Sequence, residues 1–252
     1  MISISICGAR GKLGQRVAAF VDADKDLSFA GLIEYSGHPD ISASMYGLNI
    51  TSDIAEGIKD SDVVIDFSST DTSVELAGIC AKLSKKAVIG TTGLTPEQIQ
   101  NISDAACDVP ILLSPNMSIG VNLFFKMASV ITDSLEGYEK EIIEAHHNKK
   151  VDSPSGTALK LAEAIKRDGE KLVFGREGKI GPRESSEIGV HAVRGGSIVG
   201  EHTVMWLSDT ERIELTHKAV SRDVFASGAV KAAKWLAGCD EPRLYSMEDF
   251  LG

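Results

Sequence analysis

Near its start the chain reads Ile2-Ser3-Ile4-Ser5-Ile6-Cys7-Gly8-Ala9-Arg10-Gly11-Lys12-Leu13-Gly14, and this stretch decides the fold class. Alternating isoleucine and serine predict a β-strand, and apolar residues at 13, 17 and 20 predict a following helix. The glycines between them predict a turn with bare N–H groups at the helix N-terminus, which suits a pyrophosphate. Their spacing, G-x-x-G-x-x-G, departs from the usual G-x-G-x-x-G. The prediction of a dinucleotide site therefore depends on the order strand, turn, helix. We therefore expect dinucleotide contacts from Gly8, Ala9, Arg10, Gly11, Lys12 and Leu13.

Glu34 lies 20 residues beyond Gly14, directly after a strand predicted over residues 27–33. An acidic side chain at this place accepts hydrogen bonds from the adenine-side ribose of a dinucleotide. The alternative is an exposed glutamate at a strand end. Tyr35 follows where an arginine would suit a 2′-phosphate, and Lys12 is the only substitute nearby. The sequence therefore predicts that NADH is used at least as well as NADPH.

Three further apolar strands follow, at residues 62–67, 87–90 and 110–113, with helical segments between them. This alternation predicts a parallel sheet, which binds ligands at the carboxyl ends of its strands. The tips of the last two strands are thus candidates to line the nicotinamide half of the cofactor, although ordinary turn chemistry also explains them. The candidates are Gly90, Thr91, Thr92, Ser114, Pro115, Asn116 and Met117.

The second half of the chain has a different pattern. A helix is predicted over 120–135 and strands over 138–145, 188–194, 197–206 and 211–217, while 169–187 is predicted to be a long loop. Short turns join the last three strands, which indicates antiparallel pairing. An amphipathic helix over 221–236 can return to the first domain. The predicted fold class is α/β: a Rossmann-like parallel-sheet nucleotide-binding domain plus a smaller α+β domain with a mixed or antiparallel sheet. The expected domains are 1–117 with 218–252 for the dinucleotide, and 118–217 for substrate binding and oligomerisation.

A basic segment stands out in the second half: Glu144-Ala145-His146-His147-Asn148-Lys149-Lys150, followed by Ser153-Pro154-Ser155-Gly156-Thr157 and a helix. Ser153 or Ser155 can cap that helix, and the first N–H groups, near Gly156 and Thr157, form an anion site. A histidine beside it can move a proton near neutral pH. The alternative is a solvated patch of surface histidines and lysines. No His-Glu-x-x-His or Cys-x-x-Cys spacing accompanies the histidines, so no metal site is expected.

Composition limits the class of protein. The 252 residues carry a net charge of −10, so an extended nucleic-acid surface is not expected. Four cysteines are far apart in sequence, which is typical of buried free thiols in a reducing cytosol. The chain shows no signal peptide and no apolar run of membrane-spanning length. We expect a cytoplasmic protein with a small-molecule partner and no membrane or nucleic-acid partner.

The two halves together resemble the 4-hydroxy-tetrahydrodipicolinate reductase family, also called dihydrodipicolinate reductase, of the diaminopimelate and lysine pathway. The resemblance runs nearly end to end. Its most specific part is the segment from Glu144 to Ala158. Supporting pieces are the glycine turn, Gly90-Thr91-Thr92-Gly93, residues 116–122, Arg194-Gly195-Gly196, Gly200-Glu201-His202-Thr203, and Thr216-His217-Lys218 through Arg222.

The resemblance implies a reaction and roles for individual residues. An NAD(P)H-dependent enzyme would transfer hydride to C4 of a cyclic imine dicarboxylate, and the resulting enamine would gain a proton. His146 is implied as proton donor and acceptor, and Lys150 as a second catalytic residue. Substrate is expected to contact His147, Gly156, Thr157 and Arg222. Family members are typically homotetramers built through the sheet of the second domain and use NADH or NADPH.

Two other functions fit parts of the sequence. An amino-acid dehydrogenase, for example one acting on aspartate, would share the glycine turn and Glu34 but would not need the His-His to Gly-Thr segment. A non-catalytic NAD(H)-binding protein would share the nucleotide half without turnover.

Overall fold

The computed structural model describes residues 1–252 and divides into two compact units. Unit 1 comprises Met1–Ile119 and Asp223–Gly252, and unit 2 comprises Gly120–Arg222. No helix is both long enough and apolar enough to cross a lipid bilayer.

Strands and helices alternate through the first half, and strands dominate the second. The strands are β1 (Ile2–Cys7), β2 (Leu27–Ile33), β3 (Ser44–Met45), β4 (Leu48–Thr51), β5 (Val63–Asp66), β6 (Lys86–Ile89), β7 (Ile111–Leu113), β8 (Glu139–His146), β9 (Lys171–Phe174), β10 (Glu187–Arg194), β11 (Gly200–Leu207), β12 (Arg212–Ala219) and β13 (Leu244–Tyr245). The helices are α1 (Lys12–Ala23), α2 (Ile54–Ile58), α3 (Thr70–Leu83), α4 (Pro96–Ala105), α5 (Ile119–Ser134), α6 (Gly156–Ile165), α7 (Asp223–Ala237) and α8 (Met247–Leu251).

Unit 1 is built on an eight-stranded sheet in the order β13-β7-β6-β5-β1-β2-β4-β3. All pairs are parallel except β3 with β4. The strand β1 lies between β2 and β5, so successive strands are added on opposite sides of it. Ligands bind at such a switch point in open parallel sheets, outside the carboxyl ends of the strands. The predicted Rossmann-like α/β domain is confirmed.

The helix α1 packs on the sheet through Gly14, Val17, Ala18 and Val21. The helix predicted from the apolar residues Leu13, Val17 and Phe20 is confirmed. Leu13 and Phe20 are partly buried, and Phe20 packs against the core. The helix α7 also belongs to this unit, where Ala226, Ala229 and Ala233 lie in the same apolar core as Ile4 and Ile6.

Unit 2 is built on a five-stranded mixed sheet in the order β12-β11-β8-β10-β9. The pairs β8–β10 and β10–β9 are parallel, and β11 pairs antiparallel with both β8 and β12. The predicted mixed sheet is confirmed, and so is the predicted antiparallel pairing of β11 with β12. The predicted pairing of β10 with β11 was wrong, because β8 lies between these two strands and pairs with both. The expectation of a continuous loop over 169–187 was wrong because β9 forms inside it. This short edge strand has no fully buried residue and so lacks a clear apolar pattern.

The two faces of this sheet differ. One face, here called the inner face, carries Ile142, Val204 and Trp206, which pack with Phe124 of α5 and Leu161 of α6. The register places Glu144, His146, Arg194, His202 and His217 on the same face. The opposite face, here called the outer face, carries Ile143, Val193, Thr203 and Thr216, with Ile143 and Val193 39% and 49% exposed.

Candidate active site

The glycine turn of unit 1 leaves no room for side chains. A Cβ on Gly14 would lie 2.0 Å from the carbonyl oxygen of Gly8, and one on Gly8 would lie 2.6 Å from that of Phe67. Gly8 has a φ of +76°, which side chains disfavour. Gly11, the residue before α1, has no side chain to cap the helix, so the first N–H groups of α1 are not taken by a capping side chain. This backbone cradle fits a dinucleotide pyrophosphate.

Glu34 lies beside the turn. Its Oε1 accepts a hydrogen bond from the Arg10 backbone N–H at 2.6 Å, and the side chain is buried. A cavity of about 470 Å³ opens at this place, lined by Gly8, Gly11, Glu34, Tyr35, Phe67, Ser68, Ser69 and Thr72, among others. The residues from 67 to 72 follow β5, the strand beside β1, and were not among the predicted cofactor residues. Their position at the carboxyl end of a buried strand was the signal that could have identified them.

The Arg10 side chain is engaged within unit 1. Its Nε donates to Asp40 at 2.6 Å, and Nη1 lies 3.6 Å from Met45 Sδ. The sequence analysis named Lys12 as the only cation that could reach a 2′-phosphate. Lys12 is exposed, and Arg10 is a second cation beside Glu34, held by an aspartate.

The other predicted cofactor residues differ in burial. Ala9, Gly90, Thr91, Ser114 and Met117 are buried, whereas Thr92 and Pro115 are exposed and Leu13 and Asn116 lie between. The Thr91 hydroxyl donates to Asp66 at 3.0 Å, and Ser114 donates to the carbonyl of Asn116 at 2.9 Å. These two hydroxyls therefore stabilise the strand tips, and Met117 fills the core.

Asp66, at the end of β5, was missed by the sequence analysis. It is fully buried and accepts hydrogen bonds from Ser68, Ser73 and Thr91. Burial raises the pKa of the Asp66 carboxyl, and these hydroxyls oppose the rise. The carboxyl joins the tips of β5 and β6 to the start of α3.

In unit 2, His146 ends β8 with its imidazole buried. Its Nδ1 lies 2.6 Å from Glu144 Oε2, two residues earlier on the same face of the strand. Arg194 of β10 forms a two-pronged contact with Glu144, with Nη1–Oε2 and Nη2–Oε1 distances of 2.8 Å. Neither Glu144 nor Arg194 was predicted as a site residue. Arg194 lies 50 residues after Glu144 in the sequence, and the parallel β8–β10 pairing brings it next to His146.

Ser155 joins this cluster to α6. Its backbone N–H donates to Glu144 Oε1 at 3.0 Å, and its hydroxyl accepts from the Ala158 N–H at 3.1 Å as the helix cap. Of the two caps considered, Ser155 is the one used. The same hydroxyl lies 3.2 Å from His202 Nε2, and the His202 ring is 5.2 Å from that of His146. His202 was quoted in a motif but not predicted as a site residue.

The remaining predicted catalytic and substrate-binding residues differ in their contacts and exposure. Lys150 is ion-paired with Asp152 at 2.8 Å, and His147 Nδ1 accepts from the Lys149 N–H at 3.2 Å. Gly156 is exposed at the first position of α6, and a Cβ there would meet no atom within 4 Å. Thr157 is partly buried. Arg222 is exposed in the turn before α7, and the structure gives it no hydrogen bond or ion pair with the cluster.

The charges of the cluster set the protonation of its members. Burial lowers the pKa of His146, Glu144 opposes this, and Lys150 and Arg194 lower it further. Burial alone would raise the pKa of Glu144, but hydrogen bonds from Arg194, His146 and Ser155 bring it below its ordinary value. Burial lowers the pKa of His202 to about 4, so this imidazole is neutral near pH 7. The cluster therefore combines an ionised carboxylate, an adjustable imidazole and cations that suit an anionic ligand.

Comparison with known proteins adds independent information. The family model for the N-terminal part of dihydrodipicolinate reductase matches residues 2–117, and that for its C-terminal part matches 120–251. A 4-hydroxy-tetrahydrodipicolinate reductase of Aquifex aeolicus is 46% identical over 100% of this chain and 99% of its own length. One from Trichlorobacter lovleyi is 44% identical over the same shares.

A solved structure agrees with these relatives. It is a dihydrodipicolinate reductase from Paenisporosarcina sp. TG-14 with dipicolinate bound, and it matches with a TM-score of 0.81 at 26% identity. The match covers 98% of this chain and 97% of that one.

Proposed function

The chain belongs to the dihydrodipicolinate reductase family, and we propose that His146, assisted by Lys150, supplies the proton in its reaction. The protein is an NAD(P)H-dependent oxidoreductase that reduces 4-hydroxy-tetrahydrodipicolinate in the diaminopimelate and lysine pathway. The observation that supports the proton assignment is the buried His146 imidazole, held by Glu144 next to the capped start of α6.

Substrate binding is assigned to the groups around this imidazole. The substrate is a dicarboxylate, and Gly156 and Thr157 are the first two residues of α6, at the positive end of its helix dipole. Lys150 adds a cation whose present partner, Asp152, is half exposed and can be replaced by a ligand carboxylate. His147 and Arg222 complete the proposed set.

The proton comes from His146 Nε2, because Nδ1 is taken by Glu144. Two substrate carboxylates close to the imidazole would raise its pKa and so favour the protonated form when substrate is bound. Loss of water from 4-hydroxy-tetrahydrodipicolinate gives a conjugated carbon–nitrogen system, and the reduced nicotinamide, when bound, would supply the hydride that C4 of this ring accepts. His146 then gives the proton to the enamine that results and is left as a neutral imidazole, while Lys150 balances the carboxylate charge.

Replacement of His146 tests this role. His146→Gln is expected to lower kcat by about 10²- to 10⁴-fold, the usual loss for a general acid, in an assay of NADH oxidation with freshly generated cyclic imine. Lys150→Gln is expected to lower kcat/KM, because Lys150 is proposed to act both in substrate binding and in the reaction itself. The matched control is His191→Gln, because His191 also pairs with a glutamate of β8, at 2.7 Å, but on the outer face. Turnover equal to wild type in His146→Gln would remove His146 from the reaction.

Cofactor preference is proposed from the contacts of Glu34. Its carboxylate lies in the nucleotide cavity and would repel a 2′-phosphate, and Tyr35 offers no cation. Arg10, the nearest guanidinium, is paired with Asp40, so it is not available to a phosphate without breaking that contact. We therefore propose that NADH serves at least as well as NADPH.

Asp40→Asn tests this arrangement because it releases Arg10. The ratio of kcat/KM for NADPH to that for NADH is expected to rise by up to about fivefold, the scale of an exposed ion pair. Asp108→Asn, an exposed aspartate of the same unit, serves as the control. A wild-type enzyme that strongly prefers NADPH, or an unchanged ratio in Asp40→Asn, would contradict the proposal.

Assembly and location form the last part of the proposal. The outer face of the unit 2 sheet exposes Ile143 and Val193, and we propose that it forms the interface of a homotetramer. Four unpaired cysteines support a reducing compartment, the cytoplasm. Sedimentation velocity is expected to give four chain masses for wild type and fewer for Ile143→Glu. Val130→Glu, at a 58% exposed valine of α5, is the control. A wild-type monomer would refute this interface.

A further inference from the structure

The Glu144 carboxylate is fully buried and has all its acceptor sites in use. Oε1 accepts from Arg194 Nη2 at 2.8 Å and from the Ser155 N–H at 3.0 Å. Oε2 accepts from Arg194 Nη1 at 2.8 Å and lies 2.6 Å from His146 Nδ1. A buried carboxylate is retained in a fold only when it is paired and hydrogen-bonded in this way.

Only one position is possible for the hydrogen between Glu144 and His146 Nδ1. An ionised carboxylate accepts hydrogen bonds and cannot donate, so Nδ1 of His146 must carry the hydrogen. The other nitrogen, Nε2, then gains and loses the proton. Gly200 stands beside it, and a Cβ at Gly200 would lie 3.0 Å from Nε2. The absence of a side chain there leaves Nε2 uncrowded.

We propose that Glu144 is a positioning residue that keeps the neutral His146 in the Nδ1–H form and directs Nε2 to the reacting substrate, with Arg194 holding Glu144 ionised. This inference rests on the proposed role of His146. In the reaction the Nε2 proton leaves for the substrate, the Nδ1–H bond to Glu144 stays intact, and solvent returns the proton to Nε2.

The charged groups that face His146 act in opposite directions. Glu144 on its own strand favours the imidazolium. Lys150 from the following turn and Arg194 from β10 disfavour it, and His202 from β11 faces its ring. Farther out, His217 of β12 is paired with His202 in the sheet, and Asp152 neutralises part of Lys150. Removing Glu144 or Arg194 should therefore shift the titration of His146 in opposite directions.

The same strand supplies a matched comparison on its other face. Glu141 accepts from Arg176, Arg183 and His191, and its pKa is lowered to about 2, since these hydrogen bonds outweigh burial. A glutamate of β8 bonded to arginine and histidine therefore occurs twice. Only Glu144 also binds the N–H of the residue that caps α6. Glu141→Gln is thus a control for the loss of a hydrogen-bonded carboxylate from this strand.

The test combines kinetics with ¹⁵N NMR of the histidine rings. In wild type, His146 is expected to show the Nδ1–H form above its pKa. The kcat/KM of the reaction falls as pH rises through the pKa of an essential acid. In Glu144→Gln this fall, and the NMR pKa, should move down by about one pH unit, and in Arg194→Met up by a similar amount. Turnover in Glu144→Gln should fall between about tenfold and 10⁴-fold, the larger loss if the amide favours the wrong tautomer.

Each outcome decides the inference. Glu141→Gln should leave the His146 titration unmoved. An Nε2–H form in wild type, or shifts of the same sign in both variants, would overturn the role of Glu144. If Glu144→Gln does not fold, the tautomer of His146 in wild type and the shift of its pKa in Arg194→Met still test the role of Glu144. Failure of the proposed function is distinguishable, because it would show as full turnover in His146→Gln while the tautomer and the two shifts remained as expected.

Discussion

A single buried carboxylate connects the parts of unit 2 that matter for chemistry. Glu144 binds the guanidinium of Arg194 from a neighbouring strand, the N–H of Ser155 before α6, and the imidazole of His146. Taking such a charge out of water is costly, and breaking a buried pair by removing one partner typically costs about 3–5 kcal/mol. The fold therefore accepts this charge where strand β10, the helix start and the imidazole all supply donors to it. The position of the proposed acid and the position of the anion site are thus set by the same group.

Unit 1 depends on a constraint of the opposite kind, the absence of side chains. The turn after β1 brings the backbone of Gly8 against Phe67 and that of Gly14 against Gly8, at distances that no Cβ could share. The N–H groups of residues 8 to 11 are hydrogen-bonded within the protein, so the first N–H groups of α1, which no side chain caps, are the ones left for a dinucleotide. Glu34 lines the cavity beside them. We expect recognition here to be by backbone and one carboxylate, and in unit 2 by charged side chains and a helix terminus.

Local patterns in the sequence were sufficient for the main features of the fold. The alternation before Gly8 and the strand–helix order predicted the parallel sheet, and the short turn at Ser208-Asp209 predicted the antiparallel pair β11–β12. The turn after Arg194 predicted a pairing of β10 with β11 that does not form, because β8 lies between them. The basic segment at His146 carried the resemblance that the family comparison then supported. The roles of His146, Lys150 and the cofactor residues stay predictions.

Features that depend on distant pairing could not be predicted from sequence. Arg194 reaches Glu144 only through the β8–β10 register, and Asp40 reaches Arg10 across 30 residues. The close approach of Gly14 to Gly8 was likewise visible only in the structure. The edge strand β9 has too little apolar content to stand out from its loop.

The most direct test of this account is to titrate His146 by ¹⁵N NMR with and without pyridine-2,6-dicarboxylate, a planar dicarboxylate that mimics the substrate ring. If the imidazole lies beside the anion site, bound carboxylates must stabilise its charged form. The account predicts that saturation with this compound raises the pKa of His146 by about one unit or more. A His146 pKa that stays the same when the compound is bound would contradict it.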